Sequence, residues 1–338
     1  MIARFFNFLD FYMKHIIFGG DGFLGTELTK KLTARGERVV ICDLKKTESS
    51  GIYDSDLVTY IEFDVTKKSE FDKVEIEPAD MPYHFAAKLL VPIMPRADRK
   101  EYFWTSLYVG TTNVLAFLEK SGVRHMIYYT TDMVYGHTVH HPRFEDHPRA
   151  PIGPYGDAKL QTEFLCEEYR KKGFNITIFR PRLIIGPGRL GILGQLFKLV
   201  DRNLPVPTIG NGKNYYQFIS VSDCAEAVLC AVEKGVPNEA YNLGSLNPPT
   251  VNGLLKTLVG HAGSKSFLLP TPAFLVKIVL AFLDRIGMSI MDPEQYLIAD
   301  ETCVLDVSKA EKELGWVPKD GDEDMLIAAY TTYREGLK

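Results

Sequence analysis

Cysteine is scarce, and its spacing shows no pairing. Five occur in 338 residues, at Cys42, Cys166, Cys224, Cys230 and Cys303, with no C-x-x-C among them and an odd total. This excludes a disulfide scaffold and reads as free thiols in a reducing, cytoplasmic compartment. Cys42 and Cys230 fall inside predicted elements and read as core filling. Positive charge is not in excess. The formal net charge is −4, so a nucleic-acid footprint is excluded. No apolar run reaches the length a membrane helix needs, about 20 residues. Met1–Tyr12 is rich in aromatics but short, and it lacks the cleavage-site pattern of a secretory leader. It reads as an N-terminal extension, and Met13, directly before the first strand, is a candidate start. Pro272–Gly287 is the other apolar stretch. Lys277, Asp284 and Arg285 interrupt it, so it reads as a packed amphipathic helix and not as an integral membrane segment. The chain also has no internal repeat and no low-complexity tract.

What is present is ordinary for a globular protein: 46% hydrophobic and 24% charged residues, with enough chain for one or two domains. From residue 14 to about 245, strand-like runs alternate with helical ones, which predicts βαβ units and a parallel sheet. Strands are expected at 16–18, 38–42, 57–63, 80–85, 125–130 and 174–179, and shorter ones at 217–221 and 241–245. Helices are expected at 26–35, 101–121, 155–172 and 222–233, with Ser222 and Asp223 as the cap of the last. The Gly-, Pro- and Asn-rich stretch 189–215 reads as lid and cleft. His137, His140 and His141 cluster in a loop, but no Cys or acidic pair is spaced to complete a ligand set, so no metal is expected.

Residues 14–25 are the centre of the pattern. Ile16, Ile17 and Phe18 form a short apolar strand. Gly19, Gly22 and Gly25 then give G-x-x-G-x-x-G where the strand turns into a helix. Glycines there allow a tight turn and close backbone approach, and the helix N-terminus faces an anion. Asp43 closes the second strand, eighteen residues after Gly25, where an acidic side chain takes the ribose hydroxyls of NAD. On the residues alone, Asp64 and Val65 read as a surface turn. Small residues at 86 and 87 end the fourth strand and let a cofactor lie close to the backbone.

Thr131, Tyr155 and Lys159 are suited to hydride chemistry. Tyr and Lys at i and i+4 share a helix face. A free phenol with a pKa of about 10 is a poor base at neutral pH. A neighbouring ammonium and the positive nicotinamide favour the phenolate. Tyr155 then takes a proton from a substrate hydroxyl, while Thr131 orients that hydroxyl.

These segments together resemble the extended short-chain dehydrogenase/reductase family. The match runs through the glycine motif, His84-Phe85-Ala86-Ala87, Thr131-Asp132-Met133-Val134-Tyr135-Gly136, Pro154-Tyr155 with Lys159, Arg180-Pro181 through Gly186-Pro187-Gly188, Phe218-Ile219 with Val221 and Asp223, and Leu314-Gly315-Trp316 with Pro318. The resemblance implies a doubly wound Rossmann-type α/β fold with a smaller, interleaved C-terminal substrate domain. The NAD-binding part is 13–180 with 214–245, and the substrate part is 181–213 with 246–338. It implies NAD held by Gly19, Gly22, Phe23, Leu24, Asp43, Asp64, Val65, Phe85, Ala86, Ala87, Tyr155 and Lys159. Catalysis falls to Thr131, Tyr155 and Lys159, and substrate contact to Lys88, Asp132, Met133, Arg182, Arg189 and Tyr216. It also implies a homodimer made by the helices around 101–121 and 155–172, with Leu115, Leu118, Phe164 and Leu165 supplying contacts.

Three departures shape the functional expectation. Leu107 stands where the family has Asn, three residues before Gly110, so the missing hydrogen bonds are assigned to a neighbour such as Ser106. Met133 stands where the family's dehydratases carry a Glu that works on elimination. Met133 moves no protons, which favours a nucleotide-sugar epimerase with tightly bound NAD over a dehydratase. Tyr216 stands where nucleotide-sugar enzymes often clasp a diphosphate with Arg, a task that passes to Arg182 and Arg189. That last change keeps open a dehydrogenase or isomerase of a hydrophobic alcohol, as in the family's hydroxysteroid enzymes. A dehydratase, a reductase and an NAD-binding protein without catalysis stay open as well.

Overall fold

The computed structural model describes residues 13–90, 93–187 and 193–336. The first strand, β1 (Lys14–Phe18), carries the buried run Ile16-Ile17-Phe18 and ends at Gly19. Then follow α1 (Phe23–Ala34), β2 (Arg38–Asp43), β3 (Val58–Glu62), β4 (Met81–His84) and α2 (Arg99–Phe103). A π-helical turn, Trp104–Val109, joins α2 to α3 (Gly110–Lys120). The expected helix over 101–121 therefore exists, with a wider turn inside it. Next come β5 (His125–Tyr129), α4 (Pro154–Lys171), β6 (Asn175–Pro181), β7 (Leu183–Ile185), α5 (Leu193–Asp201), β8 (Val206–Ile209), β9 (Phe218–Ser220), α6 (Val221–Glu233) and β10 (Ala240–Leu243). The chain finishes with α7 (Val251–His261), β11 (Leu268–Thr271), α8 (Ala273–Arg285), α9 (Pro293–Tyr296), α10 (Ser308–Leu314) and α11 (Asp322–Glu335).

The main sheet is parallel, in the order β10-β6-β5-β4-β1-β2-β3. Strand order reverses between β1 and β4, and such a switch point leaves a crevice at the strands' C-terminal ends. Apolar side chains cover both faces. Leu24, Leu28 and Leu32 of α1 join Cys224, Ala227 and Val228 of α6 on one face. Val114, Leu115 and Leu118 of α3 join Cys166 and Tyr169 of α4 on the other. A third, smaller core draws Phe197 from α5, Leu254 and Leu258 from α7, and Met325, Leu326 and Ala329 from α11. All five cysteines are free, with Cys42 buried and Cys230 half-buried.

Several expectations need correction. The stretch 189–215 is not all lid: Leu193, Leu196, Phe197 and Val200 have helical spacing and make α5, and β8 follows. The cap of α6 is Ser220, whose hydroxyl accepts the Asp223 N–H at 2.9 Å, and not Ser222. Residues 218–220 do not extend the main sheet. They pair with β7 in a separate two-stranded sheet, and β10 alone of that region joins the main one. Leu115 and Leu118 turn inward onto the sheet at 0% exposure, so they are not interface residues, whereas Phe164 is exposed. Pro272–Gly287 does form a helix, α8, but its apolar face turns outward. Met1–Tyr12 lies outside the described residues.

Candidate active site

The glycine turn meets the end of β4 at the switch point. Gly19 has φ +86°, and a Cβ there would sit 2.4 Å from the Ala86 nitrogen. Only glycine allows that crossing of two backbones. Phe85 and Ala86 both donate their N–H groups to the Phe18 carbonyl at 2.8 Å, which fixes the crossing. Gly25 lies against Gly20, where a Cβ would meet backbone at 2.6 Å, so α1 starts tight on the strand. Gly22 is the N-cap of α1, and Leu24 turns its side chain into the core. Phe23 lies beside Gly186, from whose Cβ position its ring would be 3.0 Å away. At the tip of β2, Asp43 accepts the Asp21 N–H at 3.0 Å and the Leu44 N–H at 2.7 Å. Burial raises its pKa, with those N–H groups pulling the other way. Asp64 closes a local turn by accepting from Thr66 N–H and hydroxyl. The Val65 carbonyl accepts from Asn113 Nδ2 at 2.9 Å. Asn113 is therefore the anchor here. Ser106, the expected substitute, donates to the Tyr102 and Phe103 carbonyls of its own helix and to no other described residue.

The three residues expected to carry the chemistry lie at the end of β5 and the start of α4. Thr131 follows β5, and its hydroxyl accepts the Met133 N–H at 3.2 Å. Tyr155 is the second residue of α4, after Pro154, and is 7% exposed. Its ring meets Phe103 edge-on at 5.3 Å. Leu107 and Ala158 complete that cluster, and Ala87, Leu90, Tyr102 and Met133 pack against it. Leu107, the departure from Asn, thus forms part of the apolar wall around Tyr155. One helical turn on, Lys159 is buried. Its Nζ donates to the Tyr129 carbonyl at 2.8 Å and lies 3.4 Å from the Tyr128 hydroxyl. Burial lowers its pKa to about 7, against the opposing pull of Glu163. Beneath it His84 stacks on Tyr128 and bonds Thr111. Burial and the nearby Lys159 hold that imidazole neutral, with its pKa lowered to about 3.

The residues expected to meet substrate are more occupied than the sequence suggested. Arg182 is buried and donates to Asp132 at 2.7 Å and to the Cys303 carbonyl at 3.2 Å, and its guanidinium lies 4.9 Å from the centre of the Tyr216 ring. Arg143 approaches the same carboxylate at 3.7 Å. Arg182, Asp132 and Tyr216 therefore form one group, with the carboxylate already neutralised. Lys88 is exposed, with Nζ 5.6 Å from the centre of the Tyr102 ring, at the rim of the Tyr155 cluster. Arg189 lies outside the described residues.

A model of the NAD dependent epimerase/dehydratase family matches residues 15–244, from β1 to just past β10. The chain belongs to that family. Its relatives include the uncharacterised protein y4nG of Sinorhizobium fredii, 29% identical over 94% of this chain and 78% of that one. The dTDP-D-glucose 4,6-dehydratase of Mus musculus is 27% identical over 74% of this chain and 73% of its own length. Among solved structures, the UDP-glucose 4-epimerase of Thermotoga maritima, crystallised with UDP-glucose, superposes with a TM-score of 0.78 at 26% identity, covering 96% of this chain and all of that one.

The family's cofactor fits these residues. The cradle at Gly19 and Gly22, the acid at the tip of β2 and the uncapped start of α1 suit a dinucleotide's pyrophosphate and ribose. Two partners of the reactive helix were not legible in the sequence. Arg180 of the family's Arg-Pro motif grips Glu163 of α4 with two hydrogen bonds, at 2.9 and 2.7 Å. Glu294, the second residue of α9, is 0% exposed and accepts the N–H groups of Tyr155 at 2.7 Å and Gly156 at 2.8 Å. It satisfies the free donors at the start of α4 from 139 residues away in sequence. The motif around Asp223 is likewise structural: its carboxylate accepts from Lys319 and Asp320, and its carbonyl takes the Trp316 indole N–H at 2.9 Å.

Proposed function

We propose that the protein is a nucleotide-sugar epimerase that works through transient hydride transfer to tightly bound NAD. Bound NAD supplies the hydride acceptor and donor, held by the Gly19–Gly22 turn, Asp43, the Asp64-Val65 and Phe85–Ala87 segments and Lys159. Tyr155 takes the proton from the sugar hydroxyl and later returns it. Thr131 orients that hydroxyl, and the Lys159 ammonium favours the phenolate. Residues 13–180 with 214–245 form the cofactor part, and 181–213 with 246–338 the sugar part. Lys88, Asp132, Met133, Arg182 and Tyr216 are assigned to the sugar side.

The observation that supports the choice of epimerase is that the two positions after Thr131, Asp132 and Met133, do not make an elimination pair. Met133 has no proton to move, and the Asp132 carboxylate is tied to Arg182 and Arg143. Loss of water from the sugar needs an acid and a base there; inversion through a ketone needs only Tyr155 and hydride return. A second reading, a hydrophobic alcohol as substrate, is favoured by the apolar wall of Leu90, Tyr102, Phe103 and Met133. Denaturing the purified protein tests the first reading, because an epimerase should release NAD retained through purification. A thermal-shift panel then separates the two: stabilisation by uridine or thymidine diphosphates supports the sugar, and stabilisation by sterols alone supports the alcohol.

A further inference from the structure

Helix α8 lies on the protein with two of its three charges, Lys277 and Asp284, turned inward. Lys277 donates to the Leu297 carbonyl at 2.7 Å and pairs with Asp300 at 2.6 Å. Asp284, 5% exposed, is gripped by Arg99 and Ser289. The outward stripe is Phe274, Ile278, Phe282 and Ile286, spaced i, i+4, i+8 and i+12, and Met288 and Ile290 extend it past the helix end. All six are between 51% and 65% exposed. A helix that packs on its own domain turns its apolar stripe inward. This one has half-buried Val276, Leu280 and Leu283 on its inner side and exposes a second apolar stripe as well, and a continuous apolar stripe of this kind marks an interaction surface.

The charges around the stripe select the occupant. From 265 to 290 the charged residues are Lys265, Lys277, Asp284 and Arg285. Lys277 and Asp284 are paired inward, which leaves Lys265 and Arg285 exposed. Arg96, also exposed, lies close enough to Asp284 to help hold that carboxyl's pKa down, after its bonds to Arg99 and Ser289. The exposed charges tied to the C-terminal end of the stripe, Arg285 and Arg96, are therefore basic in a chain whose net charge is −4. A basic rim repels a second copy of itself and attracts an anionic surface. Among the described residues, no helix is long and apolar enough to cross a membrane. The geometry suits a helix lying flat in the headgroup layer, apolar side down. We propose that α8 and the turn after it dock the protein on an anionic lipid surface. This goes beyond the sugar chemistry and does not depend on it. The docking face is continuous with α9, and α9 carries the Glu294 that braces Tyr155.

The full-length protein is mixed with phosphatidylcholine vesicles, with and without phosphatidylglycerol, and sedimented. The proposal expects binding to the anionic vesicles that weakens as salt is added. The variant F274S/I278Q/F282S changes only exposed side chains, and its folding is checked by thermal melting. Its partitioning should fall by about tenfold or more, since binding scales with buried apolar area. Arg285→Glu should weaken binding to anionic vesicles selectively. The proposal is overturned if wild type stays in the supernatant with anionic vesicles, or if the folded triple variant binds as wild type does. It is equally overturned if neither protein binds vesicles and the triple variant only converts a dimer to monomer.

Discussion

Tyr155 stands in an apolar setting, and Lys159 sits behind it on the carbonyl of Tyr129, so each side chain makes a separable contribution. Lys159→Met removes the ammonium that favours the phenolate and that the family uses on the nicotinamide ribose. Turnover and NAD affinity should fall together, the first by the ~100-fold or more of lost proton-transfer catalysis. Loss of turnover with unchanged NAD affinity in a titration would contradict that double role. Thr131→Val removes one orienting hydrogen bond, about 1 kcal/mol and so about tenfold in rate or less. Asp43, at the tip of β2, repels a 2′-phosphate. NADP should therefore bind more weakly than NAD in direct titration, and equal or tighter binding would remove Asp43 from the ribose site.

The elements make sense through what holds α4. Its own sequence supplies Tyr155 and Lys159, but its first-turn donors are satisfied by Glu294 of α9. Burial raises the Glu294 pKa from 4.5 to about 7, while the Gly156 and Tyr155 N–H groups pull it down. A carboxyl whose pKa is higher folded than unfolded binds more protons when folded. Stability from this group therefore falls as pH rises from about 4.5 to about 7, by up to about 1.4 kcal/mol per pH unit. Glu294→Gln should lack that slope. Urea unfolding of both proteins at the two ends of the window measures it, and parallel pH dependences would refute the assignment. The β1–α1 turn offers a second test. Gly19→Ala places a methyl against the Ala86 backbone at a positive φ, so it should destabilise by more than the ~1 kcal/mol of a typical point mutation and weaken NAD as well. The strand-turn-helix pattern was legible because apolar runs and glycines lie within a dozen residues of one another. Glu294 was not, because a lone acid after Pro293 carries no local sign of the helix it caps. Helix α5 was hidden because Gly, Pro and Asn flank a periodic run of Leu and Phe. The outward face of α8 was hidden because periodicity gives a stripe without saying which side faces the body.

At the scale of the molecule, a parallel sheet holds the cofactor turn at its switch point, and the later chain returns over it. Leu115 and Leu118 fill the sheet's core, so a dimer through α3 and α4 has to use their outer surfaces. Phe164 of α4 and Trp104 of the π-helical turn that leads into α3 are 39% and 37% exposed. We expect light scattering to show a dimer that Phe164→Asp converts to monomer; a wild-type monomer at micromolar concentration would contradict it. The family and the parallel, doubly wound sheet were legible from the motifs alone, whereas the departure of 218–220 into a separate sheet with β7 was not. The use of Arg182 was only half legible, since its pairing with Asp132 depends on β6 lying beside β5, which brings the residues just past the two strand ends together.

The central claim is inversion through a transient ketone, with Tyr155 as the proton-transfer group. Its most direct test follows a panel of nucleotide sugars by NMR with wild type and Tyr155→Phe, measuring retained NAD in both. The account predicts a substrate converted to its epimer by wild type, without loss of water and without net NADH. In Tyr155→Phe the same conversion should be slowed by about a hundred- to ten-thousand-fold with NAD still bound. A keto-deoxy sugar as product, or wild-type turnover in Tyr155→Phe, would contradict it.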